Sequence, residues 1–215
     1  MAKMKSDLLD AQAVFLTGDL SQDETLESYQ IIVDSLKEFH QNIYWIPGNH
    51  DSIENMQEIF GKQANFIRTN RFTTAIWDFI FLNTKQNGTA EGFISPEDYL
   101  SLELELKKST SKPVALVMHH HPVAVKTPLI DQYILKNNQK LLDLIDDYKV
   151  NLVICGHVHG DYSIRYGNAQ IESAPATCFQ FKKGAEKLDV EPVGGYKLYY
   201  FSKDQYVSET KTWPI

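Results

Sequence analysis

Residues 151–160 read NLVICGHVHG, an apolar run that passes directly into a Gly-His-Val-His-Gly cluster. Val150 to Cys155 reads as a buried strand, because a short apolar run bounded by glycine is what a strand covered on both faces looks like in sequence. His157 and His159 stand two apart and share a face if the strand continues, while Gly156 and Gly160 allow the backbone to approach closely. The same layout occurs three more times. Thr17-Gly18-Asp19 follows AVFL, Gly48-Asn49-His50-Asp51 follows IYWIP, and His119-His120-His121-Pro122 follows PVALVM. Each polar cluster lies just past the carboxyl end of an apolar run. In open α/β sheets that edge gathers ligands, because the loops leaving neighbouring strands converge there. Six of the seven histidines fall in these clusters and only His40 lies elsewhere, which does not fit histidines scattered through a core.

Outward from these motifs the chain alternates β-rich runs with helix-like segments, an α/β pattern. Ala13 to Thr17 is the first strand. Ser21 and Glu24 have capping-box spacing for a helix with Leu26, Tyr29, Ile32, Val33 and Leu36 on its apolar stripe. Asn42 to Ile46 is the next strand, and Asp51 with Glu54 again has capping spacing for a shorter helix. Candidates near 64–68, 72–76 and 78–83 look like a meander. Ser95 and Pro96 form an N-cap and first-turn pair opening a helix to about Lys108, since proline there gives up no needed donor. Pro113 to Met118 is a buried strand and Asn138 to Tyr148 a helix. From 160 onward the pattern turns antiparallel, with strands at Tyr162 to Tyr166, Ala169 to Ser173, Tyr196 to Ser202 and Gln205 to Thr212. Lys182 to Gly195, rich in glycine and polar residues, is expected to be a mobile surface loop. The expected organisation is one domain over residues 1–215.

Composition narrows the function classes. With 43% hydrophobic and 23% charged residues the chain is of ordinary globular type, so disorder, collagen-like repeats and a disulfide scaffold are poor readings. Cys155 and Cys178 are too few for a disulfide framework and suit reduced thiols in a cytoplasmic protein. There is no run approaching the roughly 20 apolar residues of a membrane span. A net charge of −7 offers no basic footprint for long nucleic acid, yet an acidic protein with a metal-lined pocket can still bind a small phosphate ester.

Taken singly, a Gly-Asp pair after a strand is ordinary turn chemistry, and Asn49 with His50 can be read as a helix start. Taken together, the clusters supply carboxylate, amide and imidazole without thiolate, which excludes zinc-finger and iron-sulfur readings and suits manganese, iron, zinc or magnesium. The number of ligands implies two metals. One carboxylate such as Asp19 can bridge two ions roughly 3.5 to 4 Å apart, and such a pair activates water and clamps a phosphoryl group. That chemistry is phosphoester hydrolysis.

The ordered set Gly-Asp, Gly-Asn-His-Asp, His-His-His-Pro and Gly-His-Val-His resembles the calcineurin-like metallophosphoesterases, and within them the bacterial class III 3′,5′-cyclic AMP phosphodiesterases of the Icc or CpdA type. TGDLSQD at the front, IDQYILKN (130–137) and SAPATCFQF (173–181) support the narrower resemblance. It implies a four-layered α-β-β-α sandwich of two mixed sheets and two divalent ions, iron or manganese, with zinc or magnesium as further candidates. It also implies a nucleotide substrate opened at its 3′ oxygen by metal-bound hydroxide to give 5′-AMP. Matched motif by motif, Asp19 is the bridging carboxylate, Asn49 and His157 ligands of the second metal, and His159 a ligand of the first. The position two residues before the proline selects His120 as a further ligand, with His119 as the fallback and His121 as lining. His50 corresponds to a non-ligand histidine that contacts phosphate and can protonate the leaving oxygen. Asp131, Gln132, Asn137 and the segment from Pro175 to Phe181 correspond to the pocket wall.

One motif of the family is not found. Its members begin with a strand ending in D-x-H, whereas the first strand here already carries Gly-Asp. Met1 to Gln12 reads as a helix with Met1, Met4 and Leu8 on one face, resembling the end of the crossover helix that follows the D-x-H strand. A β-α-β unit takes about 30 residues or more, so one strand and most of one helix are expected to be missing from this domain. The consequences expected are an open edge on the Ala13 to Thr17 strand, a well-formed second metal site and a first site left with Asp19 and His159. Three readings follow: a cyclic nucleotide phosphodiesterase, a phosphoesterase of another substrate, and an inactive remnant that binds a nucleotide or a partner protein. The sequence leaves a homodimer open.

Overall fold

The computed structural model describes residues 5–109 and 111–215. In chain order the elements are α1 (Lys5–Asp10), β1 (Ala13–Leu16), α2 (Leu26–Leu36), β2 (Asn42–Trp45), α3 (Ile53–Phe60), β3 (Phe66–Ile67), β4 (Arg71–Thr73), β5 (Asp78–Leu82) and α4 (Pro96–Lys108). They continue with β6 (Val114–Met118), α5 (Pro128–Asp131), α6 (Asn138–Asp147), β7 (Leu152–Cys155), β8 (Tyr162–Tyr166), β9 (Ala169–Ser173), β10 (Gln180–Phe181), β11 (Val190–Glu191), β12 (Val193–Phe201) and β13 (Tyr206–Pro214).

The period-two alternation of the strands builds the layers. On one side of β5, β6 and β7, Ile80, Leu82, Leu116, Met118, Val153 and Cys155 pack with α4 and α6 residues such as Leu102, Leu106, Leu141 and Ile145. On the other side Phe79, Phe81, Ala115, Val117, Leu152 and Ile154 meet Phe15 of β1, Tyr44 of β2 and Ile46 just after it. The opposite face of those two strands, Val14, Leu16, Ile43 and Trp45, is covered by Tyr29 and Val33 of α2 and Met56 and Phe60 of α3. Helices, sheet, sheet and helices therefore stack in four layers, as expected. The seam between the sheets is aromatic: Phe15 meets Tyr44, Phe72, Phe79 and Phe81 edge-on at 5.3 to 6.5 Å between ring centroids.

The larger sheet is mixed, in the order β4-β5-β6-β7-β9-β8. Its central β5-β6-β7-β9 run is parallel, while β4 and β8 add antiparallel edges. The smaller sheet, β1-β2-β3, is parallel throughout. The expected meander is thus split: β4 and β5 form a hairpin, but β3 joins the other sheet. The antiparallel reading after 160 holds for β8 against β9, whereas β9 runs parallel to β7. Among the described residues β1 pairs with β2 alone, and β12 and β13 pair only with each other. That hairpin nevertheless lays Tyr199, Phe201 and Tyr206 against the aromatic seam. The stretch expected as a mobile loop, 182–195, contains β11 bonded to β10 and the start of β12.

Two capping expectations are corrected. Helix α2 is capped by Thr25, whose side chain accepts from the Ser28 amide, and α3 by Ser52, which accepts from the Asn55 amide. Ser21 instead accepts from the Glu24 amide in the preceding turn. Asp51 is buried in a bracket described below. Ser95 and Pro96 open α4 as expected. The expected helix at the start is present over Lys5–Asp10 with Leu8 buried, and Met1 and Met4 lie outside the described residues.

Candidate metal centre

The carboxyl ends of β1 and β2 from the small sheet face those of β6 and β7 from the large one, so the four histidine- and aspartate-bearing loops meet across the seam. They meet at backbone distance. A Cβ on Gly18, whose φ is +90°, would lie 2.5 Å from the Gly48 nitrogen and 2.6 Å from His119 Nδ1, closer than packed atoms tolerate, so this position needs glycine for both conformation and space. Asp19, His157 and His159 have φ of 54°, 65° and 43°. Left-handed backbone at bulky residues is costly and clusters at functional sites.

The chemistry centres on His119. Its Nδ1–H donates to the Thr17 carbonyl at 2.7 Å, which fixes the ring so that Nε2 faces inward. Nε2 then lies 3.1 Å from Asp19 Oδ2, 3.2 Å from Asn49 Oδ1 and 3.2 Å from His157 Nδ1. His119 Nε2 is thus ringed by three acceptors; burial opposes its charge, but the Asp19 carboxylate holds its pKa up, so without a metal the ring carries a proton there that a divalent cation can replace. His157 Nε2 is buried with no hydrogen-bond partner. The donor set of one carboxylate, one amide oxygen and two imidazoles fits a divalent ion of the manganese, iron or zinc type. Burial pushes the His157 pKa well down, and the neighbouring His119, His120 and His121 add to it, so this ring is neutral and offers a lone pair. Burial alone would raise the Asp19 carboxyl; the charge and hydrogen bond of His119 and the His50 amide hold it below the usual carboxylate value.

The sequence-based choice of His120 and its fallback His119 differ in how their ring nitrogens are engaged. The nearest ligand atoms of His119, His120 and His157 do lie within 4.8 Å of one another. Both ring nitrogens of His120 are nevertheless spent: Nε2–H donates to the Ala90 carbonyl at 3.2 Å, and Nδ1 accepts from the Thr84 hydroxyl at 2.8 Å. The Thr84 oxygen in turn accepts the His120 amide at 3.3 Å. Burial drops the ring's pKa to about 2, with repulsion from His119 adding to it. The His120 ring is thus held by Thr84 and Ala90, whereas His119 turns Nε2 toward Asp19 and Asn49.

Two contributors were not singled out in sequence. Asp51 is fully buried; Oδ1 accepts from the amides of Leu20 and Ser21 and from the Tyr29 hydroxyl, and Oδ2 from the Gly48 amide. It bolts the Gly-Asp loop to the Gly-Asn-His-Asp loop. Lys85, three residues past β5, donates from Nζ to the Asn49 carbonyl at 2.9 Å. Its strand-end position was the available signal, since β5 is a fifth apolar run ending at the same edge.

The family model described as calcineurin-like phosphoesterase matches residues 3–161. This chain belongs to the calcineurin-like phosphoesterase family. A probable cyclic nucleotide phosphodiesterase of Coxiella burnetii is 36% identical over 89% of this chain and 77% of its own. A 3′,5′-cyclic-nucleotide phosphodiesterase of Nostoc is 33% identical, covering 86% and 70%. The 3′,5′-cyclic adenosine monophosphate phosphodiesterase CpdA of Vibrio vulnificus is 30% identical, covering 82% and 65%. Among solved structures, GAP50, the anchor in the inner membrane complex of Plasmodium, superposes with a TM-score of 0.68 at 15% identity over 97% of this chain and 76% of that one, which speaks to the fold alone. Metal-dependent hydrolysis of phosphate esters is the chemistry of this family, and the acceptor set around His119 is suited to it.

The remaining expected residues of this phosphoesterase are placed as follows. His50 is exposed on the wall of an open cleft of about 480 Å³, with its amide donating to Asp19 Oδ1 at 2.9 Å. His159 stands outside the tight group; its Nδ1–H donates to the Phe179 carbonyl at 3.0 Å, and its ring leans on Phe179 and Phe181. Phe179 and Phe181, from the stretch expected as pocket wall, thus hold the His159 ring. Asp131, Gln132 and Asn137, expected to bind substrate, each hydrogen-bond to the chain around them, and Gln132 is exposed. Asp131 accepts from the Val125 and Thr127 amides and from His121 Nε2. Gln132 donates to the Leu129 carbonyl, and Asn137 exchanges two hydrogen bonds with the backbone of Ile94. Among the described residues no helix is long and apolar enough to cross a membrane.

Proposed function

We propose that this phosphoesterase opens a 3′,5′-cyclic nucleotide, 3′,5′-cyclic AMP first among them, to the 5′-monophosphate, with Asp19, Asn49, His119 and His157 as the ligands of a divalent metal. The observation that carries the reading is the convergence of those four side chains beside His50 at the mouth of an open cleft. A divalent ion, iron or manganese by preference, would supply Lewis-acid polarisation of the phosphoryl oxygens and a lowered pKa for bound water. The protein's own part is proton placement. The Gln22 amide lies 3.2 Å from His50 Nδ1 and donates to it, so the ring proton sits on Nε2. From there it can pass to the 3′ oxygen as the P–O3′ bond breaks and the oxygen of water joins phosphorus, while the proton shed by that water returns to the ring, so that His50 ends neutral as it began. The relatives named as acting on cyclic nucleotides support this substrate class.

We read the chain as one domain in which the strand carrying a D-x-H pair is not represented. The open edge of β1 and the separate β12-β13 hairpin support that reading. Cys155 and Cys178 are both free, in keeping with a cytoplasmic setting. The test is turnover of 3′,5′-cyclic AMP with Mn²⁺, followed by chromatography, for this chain and for a version extended by the upstream in-frame coding sequence. Conversion to 5′-AMP by either supports the proposal. Turnover of an aryl phosphodiester with 3′,5′-cyclic AMP untouched would move the substrate elsewhere. The commitment of His159 Nδ1 to the Phe179 carbonyl favours a second reading, nucleotide binding without chemistry, which retained 5′-AMP binding with no turnover in both versions would select.

A further inference from the structure

We infer that Lys85 is a substrate-binding residue that takes the anionic phosphoryl group of the ligand, an inference that rests on the phosphoesterase reading above. The cleft beside the metal centre is lined on one side by Asn49, His50 and Ser52 and on the other by the loop that starts at Lys85. Glu24, Asp51 and Glu54 also border it, and Lys85 is the one lysine or arginine among its lining residues. A phosphate ester entering here carries negative charge into an acidic rim on a chain of net charge −7, so the lone ammonium decides whether the anion is held. Among the described residues Lys85 forms no ion pair. Its Nζ is parked on the main-chain oxygen of Asn49, 2.9 Å away, a neutral partner that an anion displaces with gain. It therefore stands within one side chain's reach of the metal set, through Asn49, and of His50, the next residue in the chain.

The loop that carries it is anchored rather than free. Thr84 is buried and bonded to the His120 ring, the Ala90 carbonyl accepts from the same ring, and the Phe93 amide donates to the Thr84 carbonyl at 3.0 Å. A Cβ on Gly92 would come within 2.6 Å of the His120 ring. His120, which the metal centre does not need, is the post on which this loop is mounted, and its position beside His119 ties the placement of Lys85 to the metal centre.

The experiment is calorimetric titration of the Mn²⁺-loaded full chain with 5′-AMP, with inorganic phosphate and with uncharged adenosine. It is run for the parent protein, Lys85→Met and Lys85→Arg, with Mn²⁺ affinity measured separately. Lys85→Met is expected to weaken 5′-AMP and phosphate roughly tenfold or more, to leave adenosine and Mn²⁺ unchanged and to flatten the salt dependence of 5′-AMP binding. Lys85→Arg is expected to recover most of the loss. Unchanged 5′-AMP and phosphate affinity in Lys85→Met overturns the inference, as does a parallel fall in Mn²⁺ affinity, which would make Lys85 a brace for Asn49. A parent protein that binds phosphate but not 5′-AMP rejects the nucleotide reading while the phosphate arm still decides Lys85. Binding of neither anion rejects both.

Discussion

His119 and His120 are neighbours of the same type, and only the partners of their ring nitrogens separate them. His119 gives one nitrogen to the Thr17 carbonyl and turns the other inward; His120 gives both away to Thr84 and Ala90. The His-His-His-Pro cluster was legible as a site, but not which ring faces it, because successive residues leaving a strand point to opposite sides and one residue of offset exchanges them. The same blindness hid Asp51, whose spacing from Glu54 imitates a helix cap while its carboxylate actually joins two loops. Asp51→Ala strands four donors in the interior and is expected to cost about 3 kcal/mol or more, read as a fall in the urea midpoint. Asp131 gives the pH prediction. Burial alone would raise its carboxyl, but the hydrogen bond from His121 and the Val125 and Thr127 amides hold it below the ordinary value of 3.8. A carboxyl lowered on folding contributes stability that is present above its unfolded value and is lost as pH falls through the folded one. Stability measured by denaturant should therefore drop on acidification below about pH 4, and Asp131→Asn should flatten that part of the curve.

The elements were read well where one face or one cap decides them. Helix α4 follows from Ser95 and Pro96, and the strands that end in motifs follow from apolar runs. Sheet membership was not legible, since alternation tells which residues face a core but not which sheet supplies it; β3 is apolar enough for either and pairs with β2 because α3 delivers it there. Helix starts slipped by a few residues because Ser21 and Thr25, or Asp51 and Ser52, are equally good caps on paper. Ser52→Ala removes the acceptor for the Asn55 amide and should cost about 1 kcal/mol by chemical denaturation. β1 is bonded on one side only among the described residues, while β6 has partners on both. Hydrogen exchange should accordingly be faster for amides of β1 than for those of β6, and equal protection would mean that something covers the open edge.

At the scale of the molecule, two sheets pressed together along an aromatic seam bring the loops of β1 and β2 against those of β6 and β7, and the site exists only in that assembled form. A cation held by Asp19, Asn49, His119 and His157 consequently links the two sheets and stabilises the fold as a whole. At a free Mn²⁺ concentration one hundred times the dissociation constant, the gain should be about 2.7 kcal/mol, visible as a metal-dependent rise in melting temperature. That rise should vanish in His119→Ala. The central claim is best tested by an equilibrium Mn²⁺ titration of the parent chain beside His119→Ala and His120→Ala. The account predicts a tight site in the parent, lost in His119→Ala and retained in His120→Ala even though that variant is less stable. Tight binding that survives His119→Ala and disappears in His120→Ala would contradict it.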